Sequence, residues 1–282
     1  MALDPQELGQ SNSDLAALLQ ELRKRAGLSG VQLARRVSMS QSKISKIETG
    51  RVTPSLVDVE LIVRALDAPP ELIAQVTALA RIANTEWQDA RALRRKGLDK
   101  KQVELAALER NSHEFRYFLP TMITGLLATP EYIRASLATF PGDHSKAIAK
   151  KLERQAVLYE PAKRFNFILT EQACRWPLVS AQAMAMQIDR LASVSRLPNV
   201  RLGIIPMAGH MPWAPLNVFT IYDASLATVE VSTGALVFRD PRDIQEYLDE
   251  FQIFDGYSLW GEDARVKLGE WADHYRGISQ DL

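Results

Sequence analysis

The stretch Leu33-Ala34-Arg35-Arg36-Val37-Ser38-Met39-Ser40-Gln41-Ser42-Lys43-Ile44-Ser45-Lys46-Ile47-Glu48-Thr49-Gly50-Arg51 holds two short apolar-periodic runs on either side of a tight turn. In the first, Val31, Leu33, Ala34 and Val37 fall on one helical face, and Ser29 precedes it. Ser38-Met39 makes the turn, Ser40 is placed to cap the next helix, and Gly50 is placed to end it as a C′ residue. Ile44 and Ile47 point the second helix inward, so Gln41, Ser42, Lys43 and Lys46 are left on its outer face. Two short helices joined in this way form a helix-turn-helix. In that motif the second helix lies in the DNA major groove and its first residues reach base edges. Gln pairs bidentately with adenine and Lys donates to guanine, so these residue types suit that position.

Outward from this core the pattern stays helical. Leu15, Leu18, Leu19 and Leu22 recur at i, i+3, i+4 and i+7, and predict a helix from Ser13 to Gly27 after a polar, frayed start. Pro54-Ser55 opens a fourth helix through Leu66, and a fifth runs from Glu71 to about Asn84. Residues 13–84 are therefore expected to form an all-α, five-helix DNA-binding domain.

Charge needs the same local reading. The chain of 282 residues has 34 Lys+Arg against 34 Asp+Glu, a balance that argues against nucleic acid if taken whole. Between residues 21 and 51, however, eight bases stand against two acids, Glu21 and Glu48. Affinity for phosphates depends on such a patch rather than on the total. Arg35, Arg36 and Arg51 are the phosphate candidates, and Gly30 offers a backbone N–H at the start of the second helix.

The rest of the composition excludes several classes. Hydrophobic residues at 46% and charged residues at 24% describe a folded globular chain. No apolar run is long enough to span a membrane, and the first ten residues have no signal-peptide core. One cysteine, Cys174, cannot form an internal disulfide, so a reducing, cytoplasmic setting is expected. No metal or cofactor is expected.

Quoted as it stands, Leu33 to Arg51, with Pro54 and Ala65-Leu66, resembles the phage-repressor (Xre/Cro) helix-turn-helix family, whose fold is lambda-repressor-like. That resemblance implies an ion pair between Arg23 and Glu48. The usual docking geometry of the motif predicts a homodimer on a near-palindromic, double-stranded operator. Many relatives carry a polar phosphate-contacting residue where this chain has Gly30.

Residues 85–112 read as a charged helical linker. Arg91, Arg94, Arg95, Lys96, Lys100 and Lys101 oppose Glu86, Asp89, Asp99, Glu104 and Glu109, and Gly97 divides two helices. This is either a second basic patch or a solvated connector. Beyond it, residues 113–282 read as an α+β domain with a small mixed sheet. Arg164–Leu169 and Val200–Ile205 are strands joined by a helix over 181–195, hence parallel. Asn217–Tyr222 and Thr228–Ser232 form an antiparallel hairpin with a short strand, Ala235–Phe238, after it. Helices are expected over 129–139, 145–159, 243–254 and 258–275.

Gly125-Leu126-Leu127-Ala128-Thr129-Pro130-Glu131-Tyr132, Arg154-Gln155, Leu169-Thr170-Glu171-Gln172-Ala173 and Pro198-Asn199-Val200-Arg201-Leu202 occur in an order that resembles the effector-like domain of WhiJ-like, antitoxin-like actinobacterial regulators. The resemblance implies a small partner protein encoded nearby. It carries no assigned chemistry. Three functions stay in view: a DNA-binding regulator whose C-terminal domain senses a small protein or ligand, an antitoxin-like factor that sequesters its partner, and a DNA-tethered enzyme.

Evidence for the enzyme is thin. Phosphate loops, nucleophile elbows and zinc-protease motifs are missing from the sequence. His113, His144, His210 and His274 stand singly, each read as a surface or satisfied core residue, with His210 the best placed of the four. Cys174 reads as a small buried hydrophobe. Glu171 is either functional or a helix cap, and Trp176, Trp213, Phe219 and Tyr222 either line a pocket or pack a core.

Overall fold

The computed structural model describes residues 5–89, 98–208 and 211–280, with backbone alone for 5–12, 82, 86–89, 279 and 280. The chain divides into two compact units, residues 1–87 with 236–243, and residues 88–235 with 244–282.

The first unit is built from α1 (Pro5–Arg25), α2 (Gly30–Arg36), α3 (Gln41–Glu48), α4 (Leu56–Ala65) and α5 (Pro70–Asn84). Each short helix starts where its sequence provides an acceptor for unpaired N–H groups. Ser29 and Ser55 make capping boxes with Gln32 and Asp58, and Ser40 Oγ accepts from Lys43 N at 3.1 Å. The helices pack around Leu15, Leu19, Leu33, Ile44, Ile47 and Val59, all buried. Helix α1 begins eight residues earlier than the leucine pattern predicts, at Pro5 rather than Ser13.

Segment 236–243 also packs in this unit. The reason is a buried carboxylate. Asp240, 1% exposed, accepts from Leu56 N at 3.2 Å with one oxygen and from Arg242 N at 2.9 Å with the other. Arg242 in turn donates to Glu60 at 2.7 Å. One side chain thereby satisfies an orphan donor at the N-terminus of α4.

The second expectation that fails is the wholly helical linker. Residues Thr85–Asp89 form a strand, β1, beside β7 (Gly234–Phe238), and helix α6 begins only at Leu98. Polar Thr85-Glu86-Trp87-Gln88-Asp89 gives no apolar period of either kind, so only its partner strand specifies it. Arg91, Arg94, Arg95, Lys96 and Gly97 lie outside the described residues.

The second unit is an α+β domain around a mixed sheet. Its strands are β2 (Glu114–Leu119), β3 (Arg164–Thr170), β4 (Val200–Ile205), β5 (Val218–Tyr222) and β6 (Leu226–Val231), in the order β6-β5-β2-β3-β4. β2, β3 and β4 run parallel, and β2–β5 and β5–β6 antiparallel. Helix α10 (Ala181–Val194) makes the β3–β4 crossover. Strand β2 is central, yet it was not foreseen. Phe115, Tyr117 and Leu119 are buried on one face, and Phe118 is buried on the other beside partly exposed Glu114 and Arg116, so the alternation breaks at Phe118-Leu119. In register, Phe115 stacks on Phe165 with ring centroids 4.6 Å apart, and Tyr117 on Phe167 at 4.8 Å.

Helices α7 (Pro130–Leu137), α8 (Ser145–Arg154), α10 and α12 (Gly261–Gln280) join the core with that aromatic ladder. From the opposite face Phe118 stacks on Phe254 of α11 (Pro241–Gly256) at 4.0 Å. The short α9 (Glu171–Arg175) follows β3 directly, capped by Thr170. A 3-10 turn, Gln155–Tyr159, replaces the last part of the helix expected over 145–159.

Candidate nucleic-acid interface

The turn between α2 and α3 is set by Ser38, in the left-handed region at φ +54°, and the helix ends at Gly50, φ +68°. Leu33, Ala34 and Val37 of the first arm and Ile44 and Ile47 of the second are buried. Burial of that stripe leaves Gln41, Ser42, Ser45 and Lys46 exposed together on α3. Ser45 was not singled out from sequence, although it lies one turn from Gln41 and Ser42 on the same face.

Arg23 forms the expected pair with Glu48 and fixes the end of α3 to α1. Its Nε donates to Oε1 at 2.6 Å, one terminal nitrogen to Oε2 at 2.7 Å, and the other to Leu28 O at 2.8 Å. Both side chains are nearly buried, 13% and 8% exposed. The bidentate hydrogen bond to Glu48 holds the guanidinium pKa above its ordinary value, against the opposing effect of burial.

The remaining bases divide into two groups. Lys43 lies between the exposed face and α4, its Nζ 2.7 Å from Asp58 Oδ1 and its side chain 43% exposed. Asp58 Oδ2 meanwhile accepts from Ser55 N at 3.3 Å. Arg36 donates to Ala65 O at 3.1 Å, and Arg25 pairs with Glu21. Lys46, Arg35 and Arg51 are exposed and have no partner among the described residues. Gly30 opens α2 with ordinary backbone geometry and open space around it, so a side chain would fit there. Its N–H and that of Val31 are left free by the Ser29 cap, which takes Gln32 N instead.

In the second unit the quoted motifs turn out to hold loops. Gln155 Nε2 donates to Gly125 O at 2.8 Å and Ala128 O at 2.7 Å. Gln187 accepts from Thr129 N at 2.7 Å and donates to Leu127 O at 3.0 Å. Asn199 Nδ2 reaches three carbonyls, of Leu158, Glu160 and Lys163, each at 3.1 Å. Arg154 forms a bidentate pair with Glu109, next to buried Gln102. Gln187 and Glu109 carried no sequence signal, because isolated polar residues in helices read as surface.

The candidates for chemistry do not converge. No group of three His, Cys, Asp or Glu able to hold a metal occurs among the described residues. Cys174 is buried, and burial pushes its thiol pKa up. Glu171 opens α9 and accepts from Met207 N at 3.0 Å and from Arg175 at 2.7 Å. His144 bonds Phe140 O, His274 packs edge-on against Tyr275, and His113 bonds Asp223 through its backbone. His210 lies outside the described residues. Phe219 and Tyr222 are core, Trp176 is exposed, and Trp213 lines a cavity.

The family described as a helix-turn-helix domain matches residues 14–76. A second, described as a domain of unknown function (DUF5753), matches residues 102–270. The comparison with curated proteins returns no match. Among solved structures, Nuc, a phospholipase D family member from Salmonella typhimurium, aligns at 7% identity and a TM-score of 0.36. That alignment covers 63% of this chain and 97% of Nuc. TrmBL2, an archaeal chromatin protein, aligns at 8% identity and 0.34, over 63% of this chain and 53% of that one. No helix of the described residues is long and apolar enough to cross a membrane.

Proposed function

Because the chain belongs to the family of the DUF5753 domain and carries a helix-turn-helix domain ahead of it, we propose that it is a sequence-specific, DNA-binding transcriptional regulator of the Xre/Cro type. The observation that carries this reading is α3. Its inner residues Ile44 and Ile47 are fully buried, so its outer face presents Gln41, Ser42, Ser45 and Lys46 as one polar strip. Such a strip suits base edges in a major groove. Lys43 joins it by leaving Asp58, and Arg35, Arg36, Arg51 and the free N–H of Gly30 serve phosphates. The protein acts in the cytoplasm as a homodimer, on half-sites about 34 Å apart. The second unit is WhiJ-like in role: it responds to a small partner protein or ligand and works by binding rather than by catalysis.

The test is selection of duplex DNA by the full chain, followed by gel shift. A reproducible palindromic site bound by the wild type, and bound at least about tenfold more weakly by Lys46→Ala, supports the reading. Equal affinity for every duplex offered would remove it.

A further inference from the structure

The second unit holds a cavity of about 320 Å³ at the carboxyl ends of its parallel strands. The residues that follow β2 (Pro120, Thr121), end β3 (Thr170), and end and follow β4 (Ile205, Pro206) form its rim, and Phe118 and Phe254 contribute to its lining. β2 is also where the sheet changes character, with parallel β3 on one side and antiparallel β5 on the other. The crevice outside the carboxyl ends of strands, beside a switch in strand order, is where open α/β sheets bind small molecules.

The walls are held from within. Thr170 Oγ1 donates to Pro120 O at 2.7 Å and accepts from Ala173 N, so its hydroxyl is fully used. Glu171 fixes the segment that follows β4 by accepting from Met207 N. None of the described lining residues is charged. Met207, Leu216 and Trp213 stand at the cavity although they are 71%, 83% and 50% exposed. Such exposure of large apolar side chains is unfavourable unless something covers them. Gln172 and Asn217 offer the cavity carboxamides that hydrogen-bond to nothing among the described residues.

We propose that this cavity is a small-molecule site for an uncharged, largely apolar ligand of about two fused rings, carrying one hydroxyl, carbonyl or amide for Gln172 or Asn217. The size follows from volume: an apolar cavity of about 150 Å³ accommodates benzene, and this one is roughly twice that. The absence of charge follows from the lining, where a buried anion or cation would have no counter-charge. Met207 and Met211 make the site adaptable to ring outline. This assignment rests on the regulatory reading of the second unit and names what that unit senses.

The test is calorimetric titration of the full chain, free of DNA, with 2-naphthol and with naphthalene-2-sulfonate. One-to-one saturable binding of 2-naphthol, with the sulfonate at least about tenfold weaker, is the expected result. Thr121→Trp, at an exposed rim position, fills the cavity and abolishes binding without moving the thermal midpoint. Should that variant unfold, Leu216→Ala and Gln172→Ala take its place, each weakening 2-naphthol several-fold. No saturable binding, equal binding of the sulfonate, or indifference of all these variants overturns the proposal. A chain that binds operator but not 2-naphthol loses the cavity assignment alone. A chain that binds 2-naphthol but no DNA loses the regulator alone.

Discussion

Arg23 and Glu48 are separated by 25 residues, yet they form the best-satisfied ion pair of the helical unit. Removing one partner leaves the other nearly buried and unpaired, which is far costlier than losing a surface pair. Glu48→Ala should therefore lower the unfolding free energy by about 3 kcal/mol, read from urea melts at constant slope. The lysines behave differently. Lys46 is free, so Lys46→Ala should remove one counterion-releasing contact and reduce the salt slope of operator binding by about one. Lys43 must first leave Asp58, so Lys43→Ala should weaken binding less and flatten the slope less. Gel shifts across a salt series compare the two, and unchanged slopes in both variants would remove them from the interface.

Among elements, those with their own local signals were legible in sequence. Helices α2, α3 and α4 start at Ser29, Ser40 and Ser55, whose side chains accept the bonds that their positions promised. The β3–α10–β4 crossover and the β5–β6 hairpin were readable from apolar runs interrupted by turn residues. Strands β1 and β2 were not, since one is polar and the alternation of the other breaks where Phe118 is buried on its more polar face. The loop motifs of the second unit were legible as text but not as physics. Their Gln and Asn side chains serve backbone carbonyls, which no spacing announces. Strand β4 holds a comparable hidden requirement. A Cβ on Gly203 would sit 2.6 Å from the Trp260 ring, which stacks under Arg201 at 3.6 Å. Gly203→Ala should cost about 1–3 kcal/mol through overpacking, measured as a fall in the thermal midpoint. Gly30→Ala, with open space and ordinary φ, should leave the midpoint unchanged or slightly raised.

For the molecule as a whole, the zero net charge conceals a division of labour. Of the eight bases between residues 21 and 51, Arg23, Arg25 and Lys43 are neutralised by acids of their own unit. The patch available to phosphate is smaller than the sequence count suggests, and operator affinity should be correspondingly more dependent on α3. Cys174 gives a global probe of folding. Its thiol is fully buried and its ionisation suppressed, so a thiol reagent should react only as fast as the unit opens. Prompt reaction with the native chain would contradict the packing of α9. Asp240→Ala should speed hydrogen exchange at the Leu56 amide and destabilise the helical unit by about 2 kcal/mol.

That aspartate also restricts how the helical unit can be inherited. It reaches Leu56 from 184 positions further along the chain, so the unit is not a contiguous cassette. A recombination that exchanges residues 1–87 for another reader of DNA keeps the carboxylate but discards the amide it satisfies. The recipient then loses one of the two backbone donors that hold this carboxylate, and keeps its stability best if residues 236–243 are exchanged as well. DNA specificity in this architecture is thus easier to change by point substitution on α3 than by shuffling the whole domain.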